Sequence, residues 1–253
     1  MADRKSFYTK SEGPNEQSLL DALKWLDEIC NKNNYEKAFL AVNSASNLGG
    51  VIEEIIGRDV VSLLKKGGNV TLNGKTKITL VTERKLIFDA EDSPILAVYA
   101  SKNFLDKLDG IDNISEILLV PWTLDEARSW IKTWNAIELG QPELQAGSPL
   151  IENKVVEESL KSLIGLINKS TGIKHPNDRS RTIELFEILK NEGEIFNPEE
   201  IKSWLIAKGG LKPEDADEIA DVATKVIEGR KLRRSKGNWA KNVIELWRLK
   251  TVN

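Results

Sequence analysis

Two short segments of the chain carry residue types suited to binding anions. The first is the polar turn at residues 43–50, which follows an apolar run at residues 38–42 and opens a predicted helix. Backbone N–H groups at a helix start can hold an anion, and Ser44, Ser46 and Asn47 would add polar contacts. The turn has neither the GxGxxG nor the GxxxxGKS/T spacing of nucleotide-binding loops. The alternative is therefore a well-capped turn between a strand and a helix.

Three further polar segments, at residues 82–85, 101–102 and 122–123, each follow a run that resembles a buried strand. In a parallel sheet these segments would converge with the first turn at one edge. Arg84 and Lys102 could then bind phosphate or carboxylate, while Trp122 could stack on a ring. Packing of Trp122 as a hydrophobic staple before the next helix is the simpler interpretation. The small-ligand site predicted at this edge comprises Ser44, Ser46, Asn47, Arg84, Lys102 and Trp122.

The second segment is residues 230–241, here called the basic segment. It holds six basic residues and no acidic residue. A dense basic run beside an aromatic residue is typical of contact with a phosphate backbone. The alternatives are a solvated surface, or intramolecular pairing with the acidic stretch at residues 214–218. The predicted nucleic-acid contacts are Arg230, Lys231, Arg233, Arg234, Lys236, Trp239 and Lys241.

Other reactive residue types are scarce. The only histidine, His175, adjoins Asp178 and Arg181, which could form a general acid–base or an anion clamp. More simply, Asp178 caps the helix that follows. The only cysteine, Cys30, falls in an apolar helical pattern, which predicts a buried residue. The sequence has no HExxH, EF-hand or GxSxG pattern, so we predict no metal and no cofactor and favour a protein that is not an enzyme.

The elements that must position these residues form an α/β first half. Asn73-Gly74 between two strand-like runs predicts a hairpin, and strands alternating with helices favour a small parallel or mixed sheet with flanking helices. This is the order of Rossmann-like domains, without a motif that specifies a cofactor. The predicted helices are residues 15–31, 51–66, 103–108 and 124–135, and the predicted strands are residues 38–42, 70–72, 76–81, 95–99 and 117–120.

Strand patterns end at residues 140–149, which are rich in Gly, Pro, Gln and Ser. Beyond them the sequence predicts an all-α domain with helices at residues 155–168, 179–191, 198–208, 213–228 and 239–250. The predicted organisation is a flexible tail at residues 1–14, an α/β domain at 15–140, a linker at 141–152 and a helical domain at 153–253.

Composition narrows the function classes. The formal net charge of −3 argues against a general polyanion binder but permits a local basic patch. No apolar run is long enough to span a bilayer, and residues 1–13 do not resemble a signal peptide, so we expect a cytoplasmic protein without a membrane partner. We predict a non-catalytic recognition protein that binds a partner protein, nucleic acid or a small anionic ligand. The alternatives are an enzyme acting on a nucleotide or phosphoester at the strand-end edge, and a structural subunit of a larger complex.

Overall fold

A computed structural model of the chain describes residues 4–11, 13–142, 149–235 and 237–251. The chain divides into two compact units, Met1–Gly147 and Ser148–Asn253. The first contains a mostly parallel sheet with flanking helices, and the described elements of the second are all helices. The predicted fold class, an α/β domain followed by an all-α domain, is confirmed. Part of the predicted linker, residues 143–148, lies outside the described residues.

The α/β unit is built on a seven-stranded sheet with the order β3-β4-β2-β5-β6-β1-β7. Neighbouring strands are parallel except β3 and β4, which form the predicted antiparallel hairpin. In chain order its elements are β1 Lys5–Tyr8, α1 Glu16–Asn33, β2 Lys37–Ala41, α2 Val51–Ile56, α3 Arg58–Lys65, β3 Val70–Leu72, β4 Thr76–Val81, β5 Asp89–Val98, α4 Lys102–Asp109, β6 Asp112–Val120, α5 Leu124–Trp134 and β7 Ile137–Glu138.

The central strands are apolar on both sides because helices cover both faces of the sheet. In β2, Ala38 and Leu40 pack into one core with residues of α1, α2 and α3. Phe39 and Ala41 point to the opposite face and pack with residues of α4 and α5. Because the helices are divided in this way, the chain turns to one face of the sheet after some strands and to the other face after others.

The structure corrects the prediction of a flexible tail at residues 1–14. Lys5–Tyr8 form β1, which pairs with β6 on one side and β7 on the other, and Ser6 is 3% exposed. The sequence prediction missed this strand because Lys5-Ser6-Phe7-Tyr8 has no apolar run. Its backbone hydrogen bonds to two strands place it in the sheet, and Phe7 and Tyr8 pack against the cores on opposite faces.

Several predicted boundaries are also corrected. The single helix predicted at residues 51–66 is two helices separated by Gly57, whose φ of 89° lies in the left-handed region that favours glycine. Strands β5 and β6 begin earlier than predicted. Their first residues are mostly polar, so the apolar pattern used for the prediction did not include them. The strand β7 was not predicted at all, since its two residues are too few to give a pattern.

The helical unit contains α6 Lys154–Ile164, α7 Pro176–Asn191, α8 Pro198–Ala207, α9 Pro213–Ile227 and α10 Val243–Lys250. The predicted start of α8 is confirmed, because the Asn197 carboxamide oxygen accepts a hydrogen bond from Glu199 N at 2.9 Å and Pro198 occupies the first turn. Helix α10 begins later than predicted. Its Trp247 is 1% exposed and is the largest fully buried side chain among the described residues.

Among the described residues, no helix combines the length and apolar character needed to cross a bilayer. A search of the same residues for groups of at least three His, Cys, Asp or Glu side chains able to hold a metal ion finds none.

Candidate functional site

The carboxyl ends of β2, β4, β5 and β6 lie at one edge of the sheet, because these strands are parallel. This edge, here called the strand-end edge, contains the turns that the sequence singled out. After β2 the chain passes to α2 on one face, and after β5 it passes to α4 on the other face. The exits of these two adjacent strands therefore diverge. In open α/β sheets such a divergence leaves a crevice in which ligands commonly bind.

Asn43 bridges the two diverging exits. Its side-chain amide donates to the Tyr99 carbonyl at 2.8 Å, and its side-chain oxygen accepts from Ser101 N at 2.9 Å. The Ser101 hydroxyl donates to Glu83 at 3.2 Å, and Lys107 approaches the same carboxylate at 3.5 Å. The turns after β2, β4 and β5 are thus tied together by side-chain hydrogen bonds.

Ser44, Ser46 and Asn47, which were predicted to bind a ligand, contact one another. The Ser44 backbone N–H donates to Asn47 Oδ1 at 3.0 Å, and its hydroxyl donates to the same oxygen at 2.6 Å. The hydroxyls of Ser44 and Ser46 lie 2.6 Å apart. These contacts cap the 3-10 turn Ala45–Leu48, as the alternative interpretation expected.

The remaining predicted ligand contacts surround this turn less closely. Arg84 is exposed and forms no ion pair within the described part of the chain. Lys102 is exposed in the first turn of α4, on the opposite face of the sheet from Ser46. Trp122 is 47% exposed and meets the ring of Tyr99 edge-on at 5.4 Å. The structure therefore joins Trp122 to the crevice through Tyr99 but shows no contact between Arg84 and Ser46.

Tyr99 adopts a strained backbone conformation at the crevice, with a φ of 52°. A bulky residue rarely occupies this region, and such strain concentrates at functional sites. Three hydrogen bonds hold it: its N–H donates to the Val120 carbonyl at 2.8 Å, its carbonyl accepts from Asn43, and its hydroxyl accepts from Asn15 N at 3.3 Å. Burial raises the pKa of the Tyr99 hydroxyl, although the Asn15 hydrogen bond acts in the opposite direction.

The residues around His175 are explained by local structure. His175, not Asp178, caps α7: its Nδ1 accepts from Asn177 N at 3.3 Å. The prediction that Asp178 is the cap is wrong because Pro176 already begins the helix. Asp178 is buried and pairs with Arg181 at 3.1 Å. Cys30 is also buried, as predicted, and burial raises the pKa of its thiol to about 11.

The basic segment lies along α7 and is fastened to it by carboxylates. Arg234 Nε lies 2.6 Å from Glu187, and its Nη1 lies 3.4 Å from Glu184. Glu184 also accepts from the backbone N–H groups of Gly237 and Asn238, at 3.3 and 2.8 Å, and from the Asn238 side chain at 2.7 Å. The acidic partners of Arg234 are therefore on α7, and not at residues 214–218 as the sequence alternative proposed.

These contacts change the pKa of the Glu184 carboxyl group. Burial on its own would raise the pKa of the carboxyl group, but the hydrogen bonds from Asn238, the charge of Arg234 and the Gly237 N–H more than compensate. The net effect lowers the pKa of Glu184. The carboxylate is consequently ionised, and able to hold the segment, throughout the neutral pH range.

Exposure alternates along the first part of the basic segment. Lys231, Arg233 and Ser235 are exposed, whereas Leu232 and Arg234 are partly buried. This is the two-residue alternation of an extended chain with one side against the protein. Lys231 and Arg233 thus point to solvent, and neither forms an ion pair with any described residue. Arg230 pairs with Glu228 at 2.6 Å, and Lys241 is exposed. Lys236 lies outside the described residues.

Trp239 has a role that the sequence did not suggest. Its indole N–H donates to the Arg181 carbonyl at 2.9 Å, and its ring meets Trp247 edge-on at 5.3 Å. The ring is only partly exposed. Trp239 therefore anchors the end of the basic segment to α7 and α10, as Arg234 anchors its middle.

A third cluster was missed because its members are far apart in the sequence. The Arg4 cluster comprises Arg4, Asp109, Trp130 and Trp134. The Asp109 carboxylate pairs with the Arg4 guanidinium. It also accepts hydrogen bonds from the indole N–H groups of Trp130 and Trp134, both at 3.0 Å. The guanidinium carbon lies 3.6 Å from the centre of the Trp134 ring. Burial lowers the pKa of Arg4, and Asp109 raises it in opposition.

Comparison with known proteins concerns the helical unit. Residues 152–248 match the model of a family described as a domain of unknown function, DUF1889. This range includes α6 to α9, most of α10 and the whole basic segment. Comparison of the chain with curated proteins finds no match. Comparison with solved structures also finds none.

Proposed function

We propose that the chain is a recognition protein whose helical unit binds the phosphate backbone of nucleic acid through the basic segment. The observation that supports this proposal is the alternation within the segment. Arg234 and Trp239 fasten it to α7, while Lys231 and Arg233 are directed to solvent without carboxylate partners among the described residues. Residues two apart in an extended chain lie roughly 6.6 Å from each other. Two cations at that spacing can each contact a phosphate of one strand.

The anchoring contacts matter because they reduce the entropic cost of binding. A free basic chain must be ordered when it meets a polyanion, whereas a segment already held at its middle and end has lost that freedom on folding. Contacts with phosphates are independent of base sequence and weaken as salt rises. We therefore expect binding with little sequence preference and a marked dependence on salt concentration.

The test is fluorescence anisotropy with labelled single-stranded and duplex oligonucleotides, titrated with the full chain at several salt concentrations. The double variant Lys231→Gln/Arg233→Gln removes two contacts and should flatten the slope of log K against log salt by about 1.4 to 1.8. The matched control is Lys169→Gln/Lys208→Gln, which removes two exposed cations elsewhere in the same unit. Equal slopes for both double variants would contradict the proposal, as would wild-type binding that ignores salt.

The α/β unit supports a second candidate function, the binding of a small anionic or ring-containing ligand at the strand-end edge. The observation in its favour is the strained Tyr99, held against the half-exposed Trp122 where two strand exits diverge. The enzyme alternative would place its chemistry at this same edge. Calorimetry with nucleotides tests both, with Trp122→Ala expected to abolish binding. Phe88→Ala, which alters a 90% exposed ring just before β5 at the opposite sheet edge, is the control.

A further inference from the structure

A groove of about 620 Å³ opens in the helical unit where α6 and α8 begin. Its floor is apolar: Val156 and Ile201 are fully buried, and Ile151 is 4% exposed. Ile195 and Phe196 belong to its walls. A concavity of this size is within the range of specific binding pockets.

The apolar lining of this groove extends to the surface at Ile195, which is 85% exposed. Single exposed apolar residues are common in soluble proteins, but this one borders an apolar concavity. Its neighbour Phe196 packs against Phe186 with ring centres 5.4 Å apart, which fixes the wall in place. An apolar side chain entering the groove would bury Ile195 without requiring the groove to form first.

The polar groups at the rim of the groove determine which charge a bound ligand should carry. The carboxamides of Asn153 and Asn197 are already used, since each caps a helix and the Asn153 amide also donates to Glu194 at 2.9 Å. Glu152 is exposed and has no partner in the described part of the chain. The positive ends of α6 and α8 are balanced by acidic residues in their own first turns. A cation beside Glu152 would therefore be favoured over an anion.

The wall also offers backbone groups. Residues 194–197, between α7 and α8, belong to no helix or strand, and within the described residues the N–H groups of Ile195 and Phe196 make no backbone hydrogen bond. Such N–H groups can donate hydrogen bonds to the main chain of a bound peptide, with side-chain pockets supplying specificity.

We propose that this groove binds an extended peptide of a partner protein, with an apolar side chain beside a lysine or arginine. The apolar side chain contacts Ile195, Phe196 and Ile201 in the groove, and the basic side chain pairs with Glu152 at the rim. This site is separate from the basic segment and does not depend on nucleic-acid binding.

The test begins with selection of a displayed random heptapeptide library on the full chain, with counter-selection on the Ile195→Asp variant. The expected consensus is an apolar residue adjacent to lysine or arginine. The selected peptide is then synthesised and titrated by fluorescence anisotropy. Ile195→Asp should weaken its binding roughly tenfold or more, and Glu152→Lys should weaken it roughly fivefold or more. Leu166→Asp, which alters a 52% exposed leucine that does not line the groove, should have no effect.

Three outcomes would overturn the proposal: no enrichment over the counter-selected variant, a consensus rich in acidic residues, or equal binding to wild type and Ile195→Asp. Because Ile195 and Glu152 are exposed, circular dichroism of both variants should match that of the wild type. Loss of binding can then be assigned to the groove.

Discussion

Two arginines fasten two segments of this chain, and they differ in how far they are removed from water. Arg4 secures the start of β1 with side-chain exposures of 6% for Arg4 and 3% for Asp109. Arg234 secures the basic segment with exposures of 19% for Arg234 and 13% for Glu184. In the Arg4 cluster both charged groups are almost completely removed from solvent. The Arg234 cluster (Arg234, Glu184, Glu187 and Asn238) uses one arginine to hold a segment whose neighbouring cations stay in solvent.

This difference shows how burial separates a structural charge from one that is available for binding. A buried ion pair gains little net stability, yet breaking it by removing one partner is costly because the other charge is left uncompensated. A partly solvated pair tolerates the loss better, since water can approach the remaining group. We therefore expect large effects on stability from the Arg4 cluster and small, local effects from the Arg234 cluster.

We expect the two clusters to belong to separately folding units. We propose, from the composition of residues 140–149, that limited proteolysis cuts there and leaves two resistant fragments, one containing each cluster. The fragments would be identified by mass spectrometry. Initial cleavage within residues 51–66 would instead contradict this division of the chain.

The largest effect of a single substitution is expected at Asp109. Asp109→Ala leaves the Arg4 guanidinium buried and removes the acceptor of two indole N–H groups. The free energy of unfolding should fall by roughly 3–5 kcal/mol, as measured by urea denaturation. Asp125→Ala is the control, because it breaks an ion pair with Arg128 in which both side chains are about four-fifths exposed. A change of only about 0–1 kcal/mol is expected there.

The sequence predicted some parts of this structure and not others for identifiable reasons. β2 and β6 contain local apolar runs, and α8 begins with Asn197-Pro198, so each carries its own signal. β1 has none, because its position depends on pairing with β6, more than a hundred residues away. The basic composition of residues 230–241 was visible in the sequence. Its pairing with Glu184 and Glu187 was not, since an acidic stretch nearer in sequence offered an equally plausible partner.

The strand-end edge shows the same limit. The polar turn after β2 could be recognised from the residues that follow an apolar run, and Ser44, Ser46 and Asn47 were found there. Asn43 lies in the same turn, but its role in joining the exits of β2 and β5 depends on contacts with Tyr99 and Ser101 that the sequence does not indicate. The strained Tyr99 gave no sequence signal, because a tyrosine after a strand ordinarily continues in extended conformation.

A smaller and more local effect is expected from Arg234→Ala. This change removes the ion pairs to Glu184 and Glu187, and hydrogen bonds to charged groups contribute about 1.5–3 kcal/mol before solvent screening. Because these groups are partly exposed, we expect a loss of about 1–2 kcal/mol. Hydrogen exchange should accelerate at Gly237 and Asn238, whose N–H groups donate to Glu184. Arg233→Ala should leave the same amides protected, and equal exchange in both variants would show that Arg234 is not the anchor.

The smallest effect is expected from pH. The folded pKa of Glu184 lies below its ordinary value of 4.5, so its contribution to stability is complete above that value and is lost as the pH falls through the folded pKa. Glu184→Gln cannot titrate. The difference in free energy of unfolding between wild type and Glu184→Gln should therefore shrink between pH 7 and pH 3, by less than about 1 kcal/mol. Comparing the two proteins at each pH cancels the contribution of other acidic groups, including Glu157, whose pKa is also lowered. A difference that stays constant with pH would mean that Glu184 holds the segment through hydrogen-bond geometry alone, and that its charge, unlike the buried charge of Asp109, adds nothing.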